Sequence, residues 1–245
     1  MGAGPGAGAA RTKVVACATV IEEVRPLLPE GVTCEVLDFG LHLTPQKLRA
    51  RLQETIDAAS ATADTIILGY GLCSMAVVGL NATRCTLVVP RVDDCIAIFL
   101  GSRSAYKAQA DQEPGTYYLT KGWIEVNDTP LAEHARLVER YGPQQADRMI
   151  KLLLKNYTRI ALINTGQYEQ QHYREVARLM ADRLGLRYEE IPGSTALVKK
   201  MIYGPWDGDF VIARPGVTIS YADFVTPATP TVTLPGLPVV DVEHG

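Results

Sequence analysis

Cys17, Cys73 and Cys95 are the residues of this 245-residue chain whose type and placement offer the most chemistry. Each ends or follows a short apolar, β-branched run: Cys17 closes "KVVAC", Cys73 follows "TIILGYGL", and Cys95 follows "TLVVPRVDD". Thiolates are soft donors that suit iron–sulfur clusters, zinc or copper(I). Three of them on one edge would leave one position of a 4Fe–4S cluster, or of a tetrahedral zinc, open to water or substrate, as a catalytic centre requires. The same residues also read as small buried fillers, since unpaired cysteine is among the most buried residue types. Cys34 and Cys85, each near the start of its strand, read that way more readily. No two cysteines form a CxxC pair, so a zinc ribbon or a thioredoxin-type dithiol has no local support.

Other groups fall at comparable places. His42, in "DFGLHLTP", sits between a strand and a helix, where it can serve as a fourth ligand or a general acid/base, or simply as a surface or capping residue. Of the adjacent Asp93 and Asp94, one is expected to cap a helix that begins at Asp94, whose N-terminus would lower the pKa of Cys95. "GTYYLTKGWIEV" supplies Tyr118 and Lys121, which could bind or protonate a substrate walled by aromatics; an aromatic packing strand is the competing reading. Asn164 and Thr165, and later Ser194 and Thr195, stand before helices, where backbone amides can hold an anion or where side chains simply cap. There is no P-loop or GxGxxG fingerprint, no GxSxG elbow and no HExxH, so nucleotide binding and the common hydrolase designs lack support. A Cys73 nucleophile with His42 as base is a further arrangement that the fold would have to assemble.

These residues need strands that end together. Short apolar runs alternate with amphipathic helical stretches: "KVVACATV", "TCEVLDFG", "TIILGYG" and "CTLVVPRV" read as strands, and Thr44–Ala61 as a helix capped by Thr44 with Pro45 behind it. A single helix is expected over Asp94–Gln112. A second alternation follows in "TRIALINTG", "YEQQHYREVARLMADRLGL", "RYEEIPG", "STALVKKMI" and "GDFVIARPG". The pattern predicts an α/β protein of two Rossmann-like lobes with mostly parallel sheets and a cleft at the strand carboxyl ends, where ligands of such sheets bind. Residues 1–11 read as a flexible extension, 12–112 as a first lobe carrying the cysteines, 113–225 as a helical connection and second lobe, and 226–245 as an extended proline-rich tail.

Composition bounds the partners. With 47% hydrophobic and 21% charged residues the chain is globular in type, and no apolar run is long enough for a bilayer. A net charge of −3 without a sustained basic run argues against nucleic acid. The glycine- and alanine-rich opening lacks the pattern of a secretory signal, which places the thiols in a reducing, cytoplasmic setting.

At "GYGLCSMAVVGL", "PRVDDCIAIFLGS", "GTYYLTKGWIE" and "LHLTPQKLRARLQETID" the chain resembles an uncharacterised prokaryotic family, domain-of-unknown-function family 1638, over roughly Lys13 to Gly216. Cys17, His42, Cys73 and Cys95 match it, whereas Asp93 stands where the family often has histidine. The resemblance implies cytoplasmic proteins, some encoded near corrinoid-dependent methyltransferase systems. A looser similarity is to two-lobed enzymes such as 2-hydroxyacyl-CoA dehydratase components and quinolinate synthase, which hold a 4Fe–4S cluster by three cysteines. The resulting expectation is a 4Fe–4S cluster on Cys17, Cys73 and Cys95 acting on a small substrate, with His42, Tyr118 and Lys121 as catalytic groups. Asn164, Thr165, Ser194 and Thr195 would be its substrate contacts. The alternatives are a non-catalytic accessory module for a corrinoid or methyltransferase protein, and a zinc–thiolate methyl-transfer site.

Overall fold

The computed structural model describes residues 11–72 and 75–225. Cys73 and the expected tail lie outside the described residues, as does the expected N-terminal extension up to Ala10. The described chain forms two compact units, each built from more than one stretch of sequence. One holds the described residues up to Cys17, Leu27–Cys95 and those from Ala196 onward; the other holds Ala18–Pro26 and Ile96–Thr195.

The first unit is a five-stranded sheet of β1 (Thr12–Cys17), β2 (Thr33–Leu37), β3 (Thr65–Gly69), β4 (Thr86–Pro90) and β8 (Phe210–Ala213), in the order β2-β1-β3-β4-β8. The first three pairings are parallel and the last is antiparallel. "GDFVIARPG", expected among the strands of a second lobe, therefore closes the edge of the first sheet, with Phe210 opposite Pro90 and Ala213 opposite Leu87. Val14, Ile66, Ile67, Leu68, Leu87 and Val88 are wholly buried, which is why these strands read as continuous apolar runs rather than alternating ones. Helix α2 (Pro45–Ala59) buries Leu48, Leu52, Ile56 and Ala59, one stripe at helical spacing, and starts with proline as expected. The Thr44 side chain makes no cap bond.

The second unit is a parallel sheet of β5 (Thr116–Leu119), β6 (Arg159–Asn164) and β7 (Arg187–Pro192), in sequence order. Helix α8 (Gln171–Leu184) packs across β6 and β7 and buries Tyr173, Ala177, Met180 and Ala181. Helix α1 (Ala18–Val24), though it directly follows β1, belongs to this unit and packs on the short helix α5 (Lys121–Glu125). Helices α6 (Pro130–Tyr141) and α7 (Pro143–Leu153) pack on one another as a hairpin.

The single helix expected from Asp94 to Gln112 is two: α3 (Ile96–Phe99) and α4 (Arg103–Gln112). Gly101, at φ +84°, turns the chain between them, and Ser102 Oγ then accepts from the Ala105 amide at 3.0 Å to cap α4. With α3 reduced to one turn, the helix dipole expected to act on Cys95 largely disappears. The remaining elements, α9 (Ala196–Tyr203) and α10 (Ala222–Val225), belong to the first unit. No helix of the described residues is long and apolar enough to cross a membrane.

Backbone apposition, not side-chain packing, sets how closely α1 and α5 approach. A Cβ on Gly122 would lie 2.3 Å from the Thr19 carbonyl oxygen and 2.7 Å from its Cα. Gly122→Ala is therefore expected to destabilise the protein by about 3 kcal/mol, read from urea unfolding of the full chain.

Candidate functional site

The carboxyl ends of β1, β3 and β4 are the place where the candidate thiols were expected. Cys17 is the last residue of β1 and is 1% exposed; Cys95, five residues beyond the end of β4, is 8% exposed. Both are also the last residues before the chain leaves the five-stranded unit. The chain leaves β1 toward β2 on one side and returns to β3 on the other, so β1 and β3 flank the switch point where open α/β sheets bind ligands. Cys34 and Cys85 sit at the opposite edge; Cys85 is buried, 3.3 Å from Ser60 Oγ, and Cys34 is half-buried on an edge strand.

The segments on either side of Cys73 are pinned. The Leu72 amide donates to the Val92 carbonyl at 2.8 Å, and a Cβ on Gly71 would lie 3.0 Å from the Asp94 backbone. These contacts hold the exit of β3 against the exit of β4, directly ahead of Cys95. On the other side, the Arg49 guanidinium of α2 donates to the Met75 carbonyl at 3.1 Å. One turn along α2, Gln53 hydrogen-bonds both the amide and the carbonyl of Asn81.

His42 lies in a short 3₁₀ segment, Phe39–Leu43, after β2. Its Nδ1 is 3.1 Å from the Phe39 carbonyl, a contact in which Nδ1 carries the proton and donates. The ring stacks between Phe39 at 5.0 Å and Tyr70 at 6.0 Å, centroid to centroid. Because β1 lies between β2 and β3, the His42–Tyr70 stack spans the end of β1 that Cys17 occupies. Asp93 is exposed, and Asp94 is half-buried. Among the described residues no group of three histidine, cysteine or acidic side chains is arranged to hold a metal, so any three-thiol site needs Cys73.

The other expected residues belong to the three-stranded unit. Tyr118, in β5, meets the Tyr106 ring edge-on at 6.0 Å. Lys121, at the start of α5, pairs with Glu22 at 2.8 Å and lies 5.5 Å over the Tyr168 ring. Asn164 ends β6, where its amide nitrogen donates to Glu190 at 2.7 Å and its oxygen accepts from the Gly166 amide at 2.9 Å. Thr165 donates to Glu23 Oε2 at 2.6 Å. The Ser194 amide is used by the Phe99 carbonyl at 2.9 Å, and Thr195 directly precedes α9. An open depression of about 460 Å³ at the carboxyl ends of β6 and β7 includes Asn164 and Thr165 in its wall.

A family model described as a protein of unknown function (DUF1638) matches residues 36–202. The chain belongs to that family. In this DUF1638 protein His42, Cys73 and Cys95 fall inside the matched span, and Cys17 precedes it. No curated protein and no solved structure matches the chain.

In this DUF1638 chain Glu23, Gln170 and Thr120 are further polar residues that no sequence motif marks. Glu23 is 1% exposed with Oε1 unpartnered, and Gln170 is buried with neither amide atom hydrogen-bonded. The buried Thr120 hydroxyl also has no partner. Each such atom costs about 1–3 kcal/mol. The available signal was weak: a carboxylate inside an otherwise apolar helical face, "TVIEEV", and a glutamine before α8 where a capping residue is usual.

Burial pushes the Glu23 carboxyl up from its ordinary range, against the opposing pull of Thr165, Tyr168 and Lys121. The folded protein thus holds this proton at pH values where the unfolded chain has released it, so stability from this group is present at low pH. That stability is lost as pH rises from the ordinary glutamate range through the raised value. Glu23→Gln, which removes the buried charge and can still accept from Thr165, is expected to be more stable than the parent at neutral pH. The difference should shrink as pH approaches the ordinary glutamate range. Urea titrations across that interval check it, and a gap that widens on acidification contradicts it.

Proposed function

We propose that this protein binds a metal centre, a 4Fe–4S cluster, through Cys17, Cys73 and Cys95. The centre would act on a small substrate in a lyase or reductase reaction linked to one-carbon or corrinoid metabolism. The observation that carries the reading is the Leu72–Val92 hydrogen bond with the Gly71–Asp94 contact, which brings the approaches to Cys73 and Cys95 together beside the end of β1. Two of the three sulfurs, Cys17 and Cys95, are buried, which suits a soft centre shielded from water. When bound, a cluster with one iron not held by cysteine supplies a Lewis-acid position for a substrate oxygen. His42, with Nδ1 anchored on a carbonyl and its ring held by two aromatics, is the group placed to move a proton at Nε2. The reading places the protein in the reducing cytoplasm, where thiolates persist.

A second reading, a non-catalytic module that docks a corrinoid or methyltransferase protein, draws on the α6–α7 hairpin. Leu152 and Leu153 there are 67% and 59% exposed, beside half-exposed Met149 and Tyr141. Co-purification with a corrinoid protein that survives loss of all three thiols but not Leu152→Glu with Leu153→Glu would select it.

Anaerobic purification followed by iron and sulfide analysis decides the first reading. The expected result is a coloured protein with close to stoichiometric cluster, abolished by Cys73→Ala and retained in Cys34→Ala. A folded, colourless, iron-free parent protein overturns it, and zinc in place of iron would move the assignment to a zinc–thiolate site.

A further inference from the structure

Several buried polar atoms of the three-stranded unit are left unused by its own fold. Glu23 Oε2 accepts from Thr165, while Glu23 Oε1 has no partner. Gln170, 5% exposed, keeps a whole primary amide, oxygen and nitrogen, without a hydrogen bond. Tyr168 joins the two. Its hydroxyl accepts from the Lys121 backbone amide at 3.0 Å, and both the Glu23 carboxylate and the Gln170 amide come near enough to perturb its acidity. The Gln170 amide does so without reaching hydrogen-bonded geometry. Thr120, next to Lys121 in the chain, adds a fully buried hydroxyl that is also unpartnered.

Nearby donors do not fill the gap: the Tyr168 hydroxyl comes close to the Glu23 carboxylate without reaching hydrogen-bonded geometry with Oε1. The Lys121 ammonium pairs with Glu22, the Gln167 side-chain amide donates to the Glu23 backbone carbonyl at 3.4 Å, and the Tyr173 hydroxyl donates to Glu125 at 2.7 Å. Folding alone would be served as well by a leucine at position 170, since an apolar side chain leaves no amide to satisfy. Polar atoms kept dry and unpaired are what a site looks like before its ligand supplies the missing half of each bond.

We propose that Glu23, Gln170 and Tyr168 form a binding site for a small molecule that carries a primary carboxamide. Its carbonyl and one N–H pair with the Gln170 amide in a two-bond ring, and its second N–H donates to Glu23 Oε1. The complement is specific in its donors and acceptors. A carboxylate would be repelled by Glu22 and Glu23; an ammonium would serve Glu23 and the Gln170 oxygen but leave the Gln170 nitrogen without an acceptor. A tertiary amide has no N–H to give. Thr165 is both the donor to Glu23 and part of the wall of the open depression at the ends of β6 and β7, which gives the rest of such a molecule room. None of these groups belongs to the five-stranded unit, so the site goes beyond the thiol centre and does not require a metal.

Acetamide is the probe, titrated into the full-length protein as purified and followed by ligand-observed NMR and by thermal unfolding. Acetate, methylammonium and N,N-dimethylacetamide serve as controls. Saturable millimolar binding of acetamide with a rise in Tm, at least tenfold weaker for each control, is expected. Gln170→Leu and Gln170→Met should each weaken acetamide binding at least tenfold while leaving the Tm of the ligand-free protein unchanged or higher. A crystal soaked in acetamide should show the amide between Glu23 and Gln170. The proposal is overturned by no saturable binding, by equal binding of the dimethyl amide, or by a soaked crystal in which ordered water alone completes Glu23 and Gln170. Iron content read on the same preparation separates the two sites: acetamide binding without iron sinks only the cluster, and iron without acetamide binding sinks only this site.

Discussion

The parallel pairing of β1 with β2 on one side and β3 on the other is the constraint on which the chemistry of the first unit depends. With Lys13 opposite both Thr33 and Ile66, and Ala16 opposite Val36 and Gly69, all three strands run out at one edge within a residue or two of each other. A strand buried on both faces has no freedom to slip, because a shift of one residue would exchange every side chain between faces. The exits are therefore fixed before any loop is chosen. His42 follows from that: its ring can reach Tyr70 only because β2 and β3 end level with one another around β1. The same holds for the Leu72–Val92 bond, which joins two loops whose starting points are already set by β3 and β4.

The three-stranded unit obeys a different balance. Its sheet also buries Ile160, Leu162 and Leu119 completely, and α8 covers it with Ala177 and Met180. Yet at its carboxyl edge apolar packing gives way to carboxylate, amide and phenol groups in one dry place. Desolvation dominates there: it pushes the Tyr168 hydroxyl and the Glu23 carboxyl up from their ordinary ranges, the latter in spite of the Lys121 charge close by. A fold pays such a penalty only where packing elsewhere is ample, and the apolar belt of β6 supplies it.

How much of this was legible follows the same physics. Buried parallel strands announce themselves as β-branched apolar runs, so β1, β3, β4 and β6 and the edge position of Cys17 could be read directly. The interruption after Phe99 could not, because periodicity continues through Gly101 and only the close approach of Ser194, with a Cβ there meeting Ser194 at 2.5 Å, reveals why the chain must turn. The pairing of β8 with β4 was hidden for a related reason. An antiparallel edge strand has the same composition as a central one, and its partner lies more than a hundred residues away. Glu23 and Gln170 escaped notice because their significance lies in bonds they do not make, which no local pattern records.

Arg159 gives the second sheet a polarity along its strands. At the amino end its buried guanidinium donates to Thr116 at 2.9 Å, Glu189 at 2.7 Å and Gln109 at 3.1 Å, binding all three strands and helix α4 through one side chain. The opposite end, only a strand's length away, holds the unpaired atoms of Glu23, Gln170 and Thr120. One cation thus stitches the sheet together at its amino rim, like the spine of a book, while the carboxyl rim is tied by separate pairs such as Asn164 with Glu190.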